Sequence, residues 1–261
     1  MRIALVQLAA DVDSARNREL VDSALEGIEP GSTDLVVLPE AVMHDFGSPT
    51  HDLAAAAEPL DGPFVTSLVD QARRLDTAIV AGMFERTDGL PYNTLVVVGP
   101  DGLRSTYRKI HLYDSFGYRE SDRLRAGEIE PITVDLAGTR VGLMTCYDLR
   151  FPELARTLMD TDPVPDVLVV PAAWVAGERK VDHWRTLLAA RALENTVYVA
   201  AAAQGGDRYT GHSLVVDPWG SIVDEVRGTD TAVIRVDLDP QIVARSREVN
   251  PSLANRRMRS T

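Results

Sequence analysis

The single cysteine of the chain, Cys146, lies where a nucleophile can be displayed. It follows the apolar, strand-like run RVGLMT and precedes the polar stretch YDLRFPE, which predicts a turn into a helix. A free thiol has a pKa of about 8.5, so it is a good nucleophile at neutral pH only when a base removes its proton. Glu40 closes the apolar block LVVLPE and is a candidate base, and Lys109 closes STYRK and is a candidate cation. Together they supply the parts that covalent acyl transfer requires.

Each of the three residues also has a purely structural interpretation. A lone cysteine beside a strand is more often a small buried hydrophobe than a nucleophile. Glu40 could be a carboxylate at the start of a helix, and Lys109 could belong, with Arg108, to a solvated basic edge. The catalytic interpretation is favoured because all three residues lie at predicted strand ends. Ligands of α/β sheets gather beyond the carboxyl ends of strands.

Four blocks spaced along the chain carry a resemblance to a known family: LVVLPE, YRKIHLYD, CYDLRFPE and HWRTLLAARALEN. In this order they resemble the nitrilase superfamily of carbon-nitrogen hydrolases, whose Glu-Lys-Cys triads close the same kinds of block. The resemblance spans Ile3 to Trp219. The segment GHSLVVDPWG further resembles the branch that contains omega-amidases and deaminated-glutathione amidases.

The resemblance implies a role for each residue. Glu40 takes the proton of Cys146 as the sulfur attacks a small carboxamide, ammonia leaves, and water hydrolyses the thioester. Lys109 and the backbone amide of Tyr147 are candidate donors to the oxyanion. Glu120, in the stretch RESD, matches a glutamate that orients the lysine and the substrate in relatives, with a solvated loop carboxylate as the alternative. The family alone leads us to expect a homodimer or higher homo-oligomer.

Substrate choice must come from the rim of the site. Arg150, four residues after Cys146, could bind a substrate carboxylate bidentately, which suits omega-amides of dicarboxylic or keto acids, or deaminated glutathione. It could equally pair with Glu153 or Asp148 and only fix the turn. Aromatic residues are plausible walls, although core packing explains any one of them as well: Tyr113, Phe116, Trp174 and Tyr209.

Other functions stay open at this point. An N-carbamoyl amine or amino-acid hydrolase uses the same three residues and releases carbon dioxide as well as ammonia. A nitrilase ranks lower, because the blocks resemble those of amidases more closely. The non-enzyme alternative is a catalytically silent binding protein of the same fold, and the intact set of Glu40, Lys109 and Cys146 argues against it.

The chain also repeats its own plan. Four segments of the first half are echoed in order in the second: RIALVQL by RVGLMTC, DLVVLP by DVLVVP, DTAIVA by NTVYVA, and NTLVV by HSLVV. In this alignment Cys146 matches Leu8 and Glu40 matches Ala172, so each half carries a reactive residue where the other is apolar. Helical patterns alternate with the strands and predict largely parallel sheets. We therefore expect an α/β fold, a four-layer α-β-β-α sandwich of two similar halves, which the resemblance also implies.

Composition limits the partners. The 261 residues predict a single domain, 1–261, and the net charge of -12 argues against nucleic acid. The exception is an arginine-rich tail at about 245–261, expected to pair with the acidic body or a neighbouring subunit: Arg245, Arg247, Arg256, Arg257 and Arg259. The longest apolar stretch, 167–176, is far shorter than the roughly 20 residues that span a bilayer, so we expect a soluble, cytoplasmic protein without membrane contact.

Metals and cofactors are not expected. The five histidines show neither HxH nor HExxH spacing, and one cysteine cannot form a CxxC pair, so a metal site is not predicted. The sequence contains neither a P-loop nor a GxGxxG fingerprint, so nucleotide binding is unsupported. The small-molecule amide is the one partner that the residues themselves suggest.

Overall fold

Two six-stranded β-sheets form the body of the protein in the computed structural model, which describes residues 1–258. The strands of the first sheet are β1 (Arg2–Gln7), β2 (Leu35–Val37), β3 (Ala78–Glu85), β4 (Tyr92–Gly99), β5 (Gly102–Arg108) and β14 (Ala232–Asp237). Those of the second are β8 (Thr133–Leu136), β9 (Thr139–Leu143), β10 (Val167–Val169), β11 (Tyr198–Ala201), β12 (Leu214–Val216) and β13 (Ile222–Glu225). A small hairpin, β6 (Asp114–Ser115) and β7 (Tyr118–Arg119), lies between them in the chain.

The two sheets repeat one topology. The first has the strand order β14-β1-β2-β3-β4-β5 and the second β13-β12-β11-β10-β9-β8, so β1 to β5 correspond to β9 to β13. The four echoed sequence pairs are the pairs β1/β9, β2/β10, β3/β11 and β4/β12. The predicted construction from two similar halves is confirmed.

The prediction of largely parallel sheets is wrong. In each sheet two strand pairings are parallel and three are antiparallel. Parallel neighbours need a long crossover, and only the first two connections of each half contain a helix of seven or more residues. The later strands are joined directly. The turn between β4 and β5 reads GPDG, and the β8–β9 turn places Ala137 and Gly138 at positive φ, 46° and 75°, both typical of hairpins.

Seven α-helices lie within the described residues: α1 (Ser14–Leu25), α2 (Leu53–Ala56), α3 (Pro63–Leu75), α4 (Pro152–Leu158), α5 (Lys180–Asn195), α6 (Pro240–Val249) and α7 (Ser252–Asn255). Their starts follow local chemistry. The Asp13 carboxylate accepts hydrogen bonds from the first backbone amides of α1, and a proline occupies the first position of α3 and of α4. Residues at helical spacing in the sequence predict three of these helices: Leu20, Val21 and Ala24 fall in α1, Phe64, Leu68 and Ala72 in α3, and Trp184, Leu187 and Leu188 in α5.

Apolar side chains join these elements into four layers. Alternate residues of the first sheet, such as Leu5 and Val37, pack against the second sheet in one core that also takes in α4 and α5. The residues that point the other way, such as Val36 and Ile79, pack against α1 and α3 in a second core. The order of layers is therefore helix, sheet, sheet, helix, as predicted for the fold class.

The arginine-rich end contacts the acidic body at two points. Arg247, on α6, pairs with Asp166 at 2.9 Å, and Arg256, just after α7, pairs with Asp160. This agrees with the expected pairing to the body, although much of the segment is helical rather than a loose tail. Arg259 lies outside the described residues. Among residues 1–258 we find no helix that is both long and apolar enough to cross a membrane.

Candidate active site

One cavity of about 440 Å³ collects the residues predicted from the sequence. All eight predicted site residues line it: Glu40, Lys109, Glu120, Cys146, Tyr147, Arg150, Tyr113 and Trp174. Phe116 and Tyr209, named above as possible walls, line it too. The fold thus brings residues from both halves of the chain to one place.

Cys146 sits on a tight turn after β9. Its φ of 45° places it in the left-handed region, which few residues other than glycine adopt, and it opens a short 3-10 turn, Cys146–Arg150. Its backbone N–H donates to the carbonyl of Pro171 at 2.9 Å, and its side chain is only 7 % exposed. The neighbouring Thr145 N–H donates to the Asp148 carboxylate at 2.9 Å. Cys146 is therefore held by backbone hydrogen bonds in a strained, fixed position.

The Asp148 carboxylate holds this turn in place through hydrogen bonds. It is fully buried and accepts hydrogen bonds from the Tyr107 hydroxyl at 2.7 Å and from His111 Nδ1 at 2.8 Å. Burial, together with the charge of Asp148, raises the pKa of Tyr107 well above its usual value, so the phenol stays a donor. With these partners and Thr145, Asp148 is fully occupied inside the fold.

Glu40 is fixed by donors on every side. Its Oε2 accepts from the Ala173 N–H at 2.6 Å, and its Oε1 accepts from Asn93 Nδ2 at 2.7 Å and Lys109 Nζ at 2.9 Å. The backbone of Glu40 crosses so close to β3 that a Cβ at Gly82 would lie 2.6 Å from the Cα of Glu40. Only glycine allows this approach, which brings the carboxylate from the first sheet to the second.

Lys109 bridges Glu40 and a second carboxylate. Its ammonium lies 2.9 Å from Glu40 and 2.9 Å from Glu120, and Glu120 also accepts the Tyr113 N–H at 2.6 Å. Glu120 is 1 % exposed, so the alternative of a solvated loop carboxylate is wrong. Because a buried charge is costly unless it is paired, this arrangement keeps one cation between two anions.

The protonation of these groups follows from burial and charge. Burial would lower the pKa of Lys109, but Glu120 and Glu40 outweigh it and hold that pKa well above the usual value, so the ammonium stays charged. Burial and the charge of Glu40 raise the pKa of Cys146 well above its usual value. The Cys146 side chain is therefore a neutral thiol at rest, and it shares the cavity with the Glu40 carboxylate.

Arg150 faces the cavity, and within residues 1–258 its guanidinium forms no ion pair with an acid. Its Nε and Nη2 atoms are buried and have no hydrogen-bond partner among residues 1–258. Its guanidinium lies 4.9 Å from the centroid of the Trp174 ring. The alternative pairing with Glu153 or Asp148 is not formed in the structure, since Asp148 is occupied by Tyr107 and His111.

The family model for carbon-nitrogen hydrolases matches residues 2–248 of this sequence. The chain belongs to the carbon-nitrogen hydrolase family. This confirms the nitrilase-superfamily resemblance of the four sequence blocks, and the protein is a hydrolase rather than a silent binding protein.

Curated relatives and a solved structure align with at least 98% of this hydrolase. A deaminated glutathione amidase of Escherichia coli O157:H7 is 38% identical over 98% of this chain and 97% of its own length. The omega-amidase NIT2 of Mus musculus is 33% identical, covering 98% of this chain and 95% of its own. A CN-hydrolase superfamily protein of Xanthomonas campestris, with an arsenic adduct in its active site, is 33% identical with a TM-score of 0.91, covering 100% and 98% of the two chains.

Sequence reasoning missed several residues of the hydrolase's site. Asn93 was read only as part of a strand, yet its side-chain amide bridges Glu40 and Glu120. The backbone N–H of Ala173 and the side chain of Lys180 also reach the site. The available signal was the polar Asn93 at the start of an otherwise apolar strand, NTLVV.

Alkaline pH is expected to destabilise the hydrolase through these buried groups. Cys146, Tyr107 and Lys109, whose usual pKa values are 9.0, 10.0 and 10.5, all have raised pKa values in the folded state. The unfolded chain therefore releases protons that the folded chain retains, so stability falls once the pH exceeds the usual pKa of each group, with a limiting slope of about 1.4 kcal/mol per pH unit for that group. Urea unfolding at pH 8 and 10.5 measures this, and Tyr107→Phe should reduce the slope. Stability that increases over this interval contradicts the assignment.

Proposed function

We propose that this hydrolase is an amidase for small linear carboxamides, acting through a thioester on Cys146. The observation that carries the proposal is the meeting, in one cavity, of a neutral thiol, a buried carboxylate and a buried ammonium that is paired with this carboxylate. These three side chains come from separate parts of the chain, and the fold brings them to one cavity. They are the nucleophile, base and cation of covalent acyl transfer.

The acylation step uses Glu40 as a proton carrier. Because the pKa of Cys146 is raised, the thiolate must be generated during attack, when Glu40 accepts the proton and sulfur bonds to the amide carbon. Collapse of the tetrahedral intermediate breaks the C–N bond, and Glu40 returns the proton to the nitrogen, which leaves as ammonia. Glu40 then takes a proton from water, the hydroxide attacks the thioester, and Cys146 leaves with that proton.

The oxyanion needs donors throughout both steps. Lys109 Nζ is the charged donor, and the N–H of Tyr147 is the second, since amides in the first turn of a helix have no intrahelical acceptor. Glu120 positions Lys109 through its 2.9 Å ion pair and, as a lining residue of the cavity, can also orient the substrate. The ammonium is thereby kept between Glu40 and the cavity.

The substrate is inferred from the relatives and the rim. The curated relatives are named deaminated glutathione amidase and omega-amidase, and the unpaired guanidinium of Arg150 suits an acid-bearing amide. We propose omega-amides of dicarboxylic or keto acids, or deaminated glutathione, as substrates, with Tyr113 and Trp174 as walls. N-carbamoyl compounds and nitriles are the competing classes within the family.

An ammonia-release screen tests this function. Purified protein is incubated with amides such as glutaramate and 2-oxoglutaramate, with N-carbamoyl amino acids and with nitriles. We expect ammonia from the amides without carbon dioxide, and at least about a thousandfold less ammonia from Cys146→Ala. Equal carbon dioxide and ammonia from a carbamoyl compound, with inert amides, identifies a carbamoylase. Unchanged turnover by Cys146→Ala rules out thiol catalysis.

The oligomeric state and the cellular location are proposed as well. We propose a homodimer, on the ground of the family alone, that works in the cytoplasm. Light scattering coupled to size exclusion gives the mass in solution, and a mass equal to one chain contradicts the dimer.

A further inference from the structure

Lysine is rare in this chain, and its placement is not random. Of the 27 basic residues only two are lysines, Lys109 and Lys180, and both line the active-site cavity. Every other basic position is arginine. Lys109 has the role described above, whereas nothing in the proposed reaction uses Lys180. A compact ammonium in a chain that otherwise uses arginine calls for its own explanation.

The local structure directs the Lys180 ammonium toward the cavity. Lys180 begins α5, and its backbone carbonyl accepts the Trp174 indole N–H at 3.0 Å. Its Nζ lies 3.3 Å from the Tyr113 hydroxyl and 4.2 Å from the centroid of the Phe116 ring. Aromatic faces attract a cation but do not neutralise it.

Lys180 and Arg150 form a pair of cations without an acid between them. The centroid of the Trp174 ring lies 4.9 Å from the guanidinium carbon of Arg150 and 5.9 Å from Lys180 Nζ. Burial, followed by the positive charge of Arg150, lowers the pKa of Lys180. Two positive charges that share one wall of a cavity favour the binding of an anion near both of them.

The carboxylates that line the cavity already have other cations. Glu40 and Glu120 both bind Lys109, and the third one, Glu178, lies 3.7 Å from Arg179. Within the part of the chain that the structure describes, no acid therefore neutralises the wall formed by Arg150, Lys180 and Trp174. A bound anion would supply the negative charge that this wall lacks.

We infer that Arg150 and Lys180 together form an anion subsite that takes a carboxylate of the substrate, with Lys180 as a specificity-determining residue. The fork of Arg150 suits a planar carboxylate, and Lys180 adds a point charge from the side of α5. The subsite shares the wall of the cavity that holds Cys146, so the carboxylate belongs to the same molecule as the amide. This inference rests on the proposed amidase function only for the identity of that molecule.

Anion binding can be tested without turnover, because two lysines give two signals. Protein labelled at the lysine Cε with ¹³C is titrated with glutarate and, separately, with pentanamide, and Lys180→Met assigns the signals. We expect glutarate to shift the Lys180 signal and raise the pKa of Lys180, and pentanamide to do neither. A Lys180 signal and pKa that glutarate leaves unchanged overturn the subsite, whether or not the protein is an amidase.

Kinetics then tests the effect on specificity. Glutaramate and pentanamide have chains of equal length and differ in the carboxylate. For Lys180→Met we expect kcat/KM to fall at least about tenfold for glutaramate, mainly through KM, and to change less than about twofold for pentanamide. Lys180→Arg should restore part of the loss. Arg179→Gln, which removes a neighbouring exposed charge, is the matched control. Equal losses for both amides overturn the specificity role.

Discussion

Glu40→Gln is expected to lower kcat for amide hydrolysis by about 10²- to 10⁴-fold, because the glutamine side chain cannot take the proton of Cys146. The resting thiol has a raised pKa, so no reserve of thiolate replaces the lost base. The measurement is ammonia release under saturating amide.

The variant must be compared with a control that loses a carboxylate elsewhere. The new carboxamide of Glu40→Gln would also place its NH₂ group opposite either the Ala173 N–H or the Asn93 and Lys109 donors, so folding has to be verified by circular dichroism and urea unfolding. Glu128→Gln removes a carboxylate outside the cavity and should retain activity. A folded Glu40→Gln protein with near-normal kcat refutes the base assignment.

Lys109→Met is expected to impair both stability and catalysis. It leaves Glu40 and Glu120, each 1 % exposed, as two buried carboxylates without their shared cation. Breaking a buried ion pair in this way costs about 3–5 kcal/mol, which urea unfolding measures. Loss of the charged oxyanion donor should also lower kcat by at least about 10²-fold.

The double variant Lys109→Met/Glu120→Gln separates the two effects. Removing one of the two carboxylates that have lost their shared cation should recover part of the stability. Catalysis should remain low because the oxyanion donor is still missing. In the Lys109→Met variant the folded state gains affinity for a proton at Glu120. The loss of stability relative to the parent should therefore shrink as pH falls from about 8 to about 5. A Lys109→Met protein as stable and as active as the parent contradicts both roles.

The sequence was most informative where residues close recognisable blocks. Glu40, Lys109 and Cys146 each follow a strand, and the internal echoes predicted the repeated halves. The parallel-sheet prediction failed because the hairpin signals, GPDG after β4 and Ala137–Gly138 before β9, were outweighed by the alternation of strands and helices. Direct turns of this kind can only join antiparallel strands.

Residues whose role depends on distant contacts were not predictable. Asn93 reaches Glu40 across 53 positions of sequence, and the Ala173 N–H reaches it across 133. The polar Asn93 in an apolar strand was a weak local signal that did not name its partners, and nothing local distinguishes the Ala173 amide from its neighbours. Lys180 was not singled out in the sequence, and only the unbalanced positive charge of the cavity wall gives it a role.

Covalent catalysis by Cys146 requires a thioester between its sulfur and the acyl part of the substrate. Detecting this acyl-enzyme by mass is the decisive measurement. The protein is mixed with glutaramate or 2-oxoglutaramate, quenched in acid within the first turnover, digested and weighed by mass spectrometry. We predict that the peptide containing Cys146 gains the mass of the substrate less ammonia, and that the Cys146→Ala peptide gains nothing. Rapid ammonia release with no adduct on Cys146, and equal release by Cys146→Ala, would contradict the account.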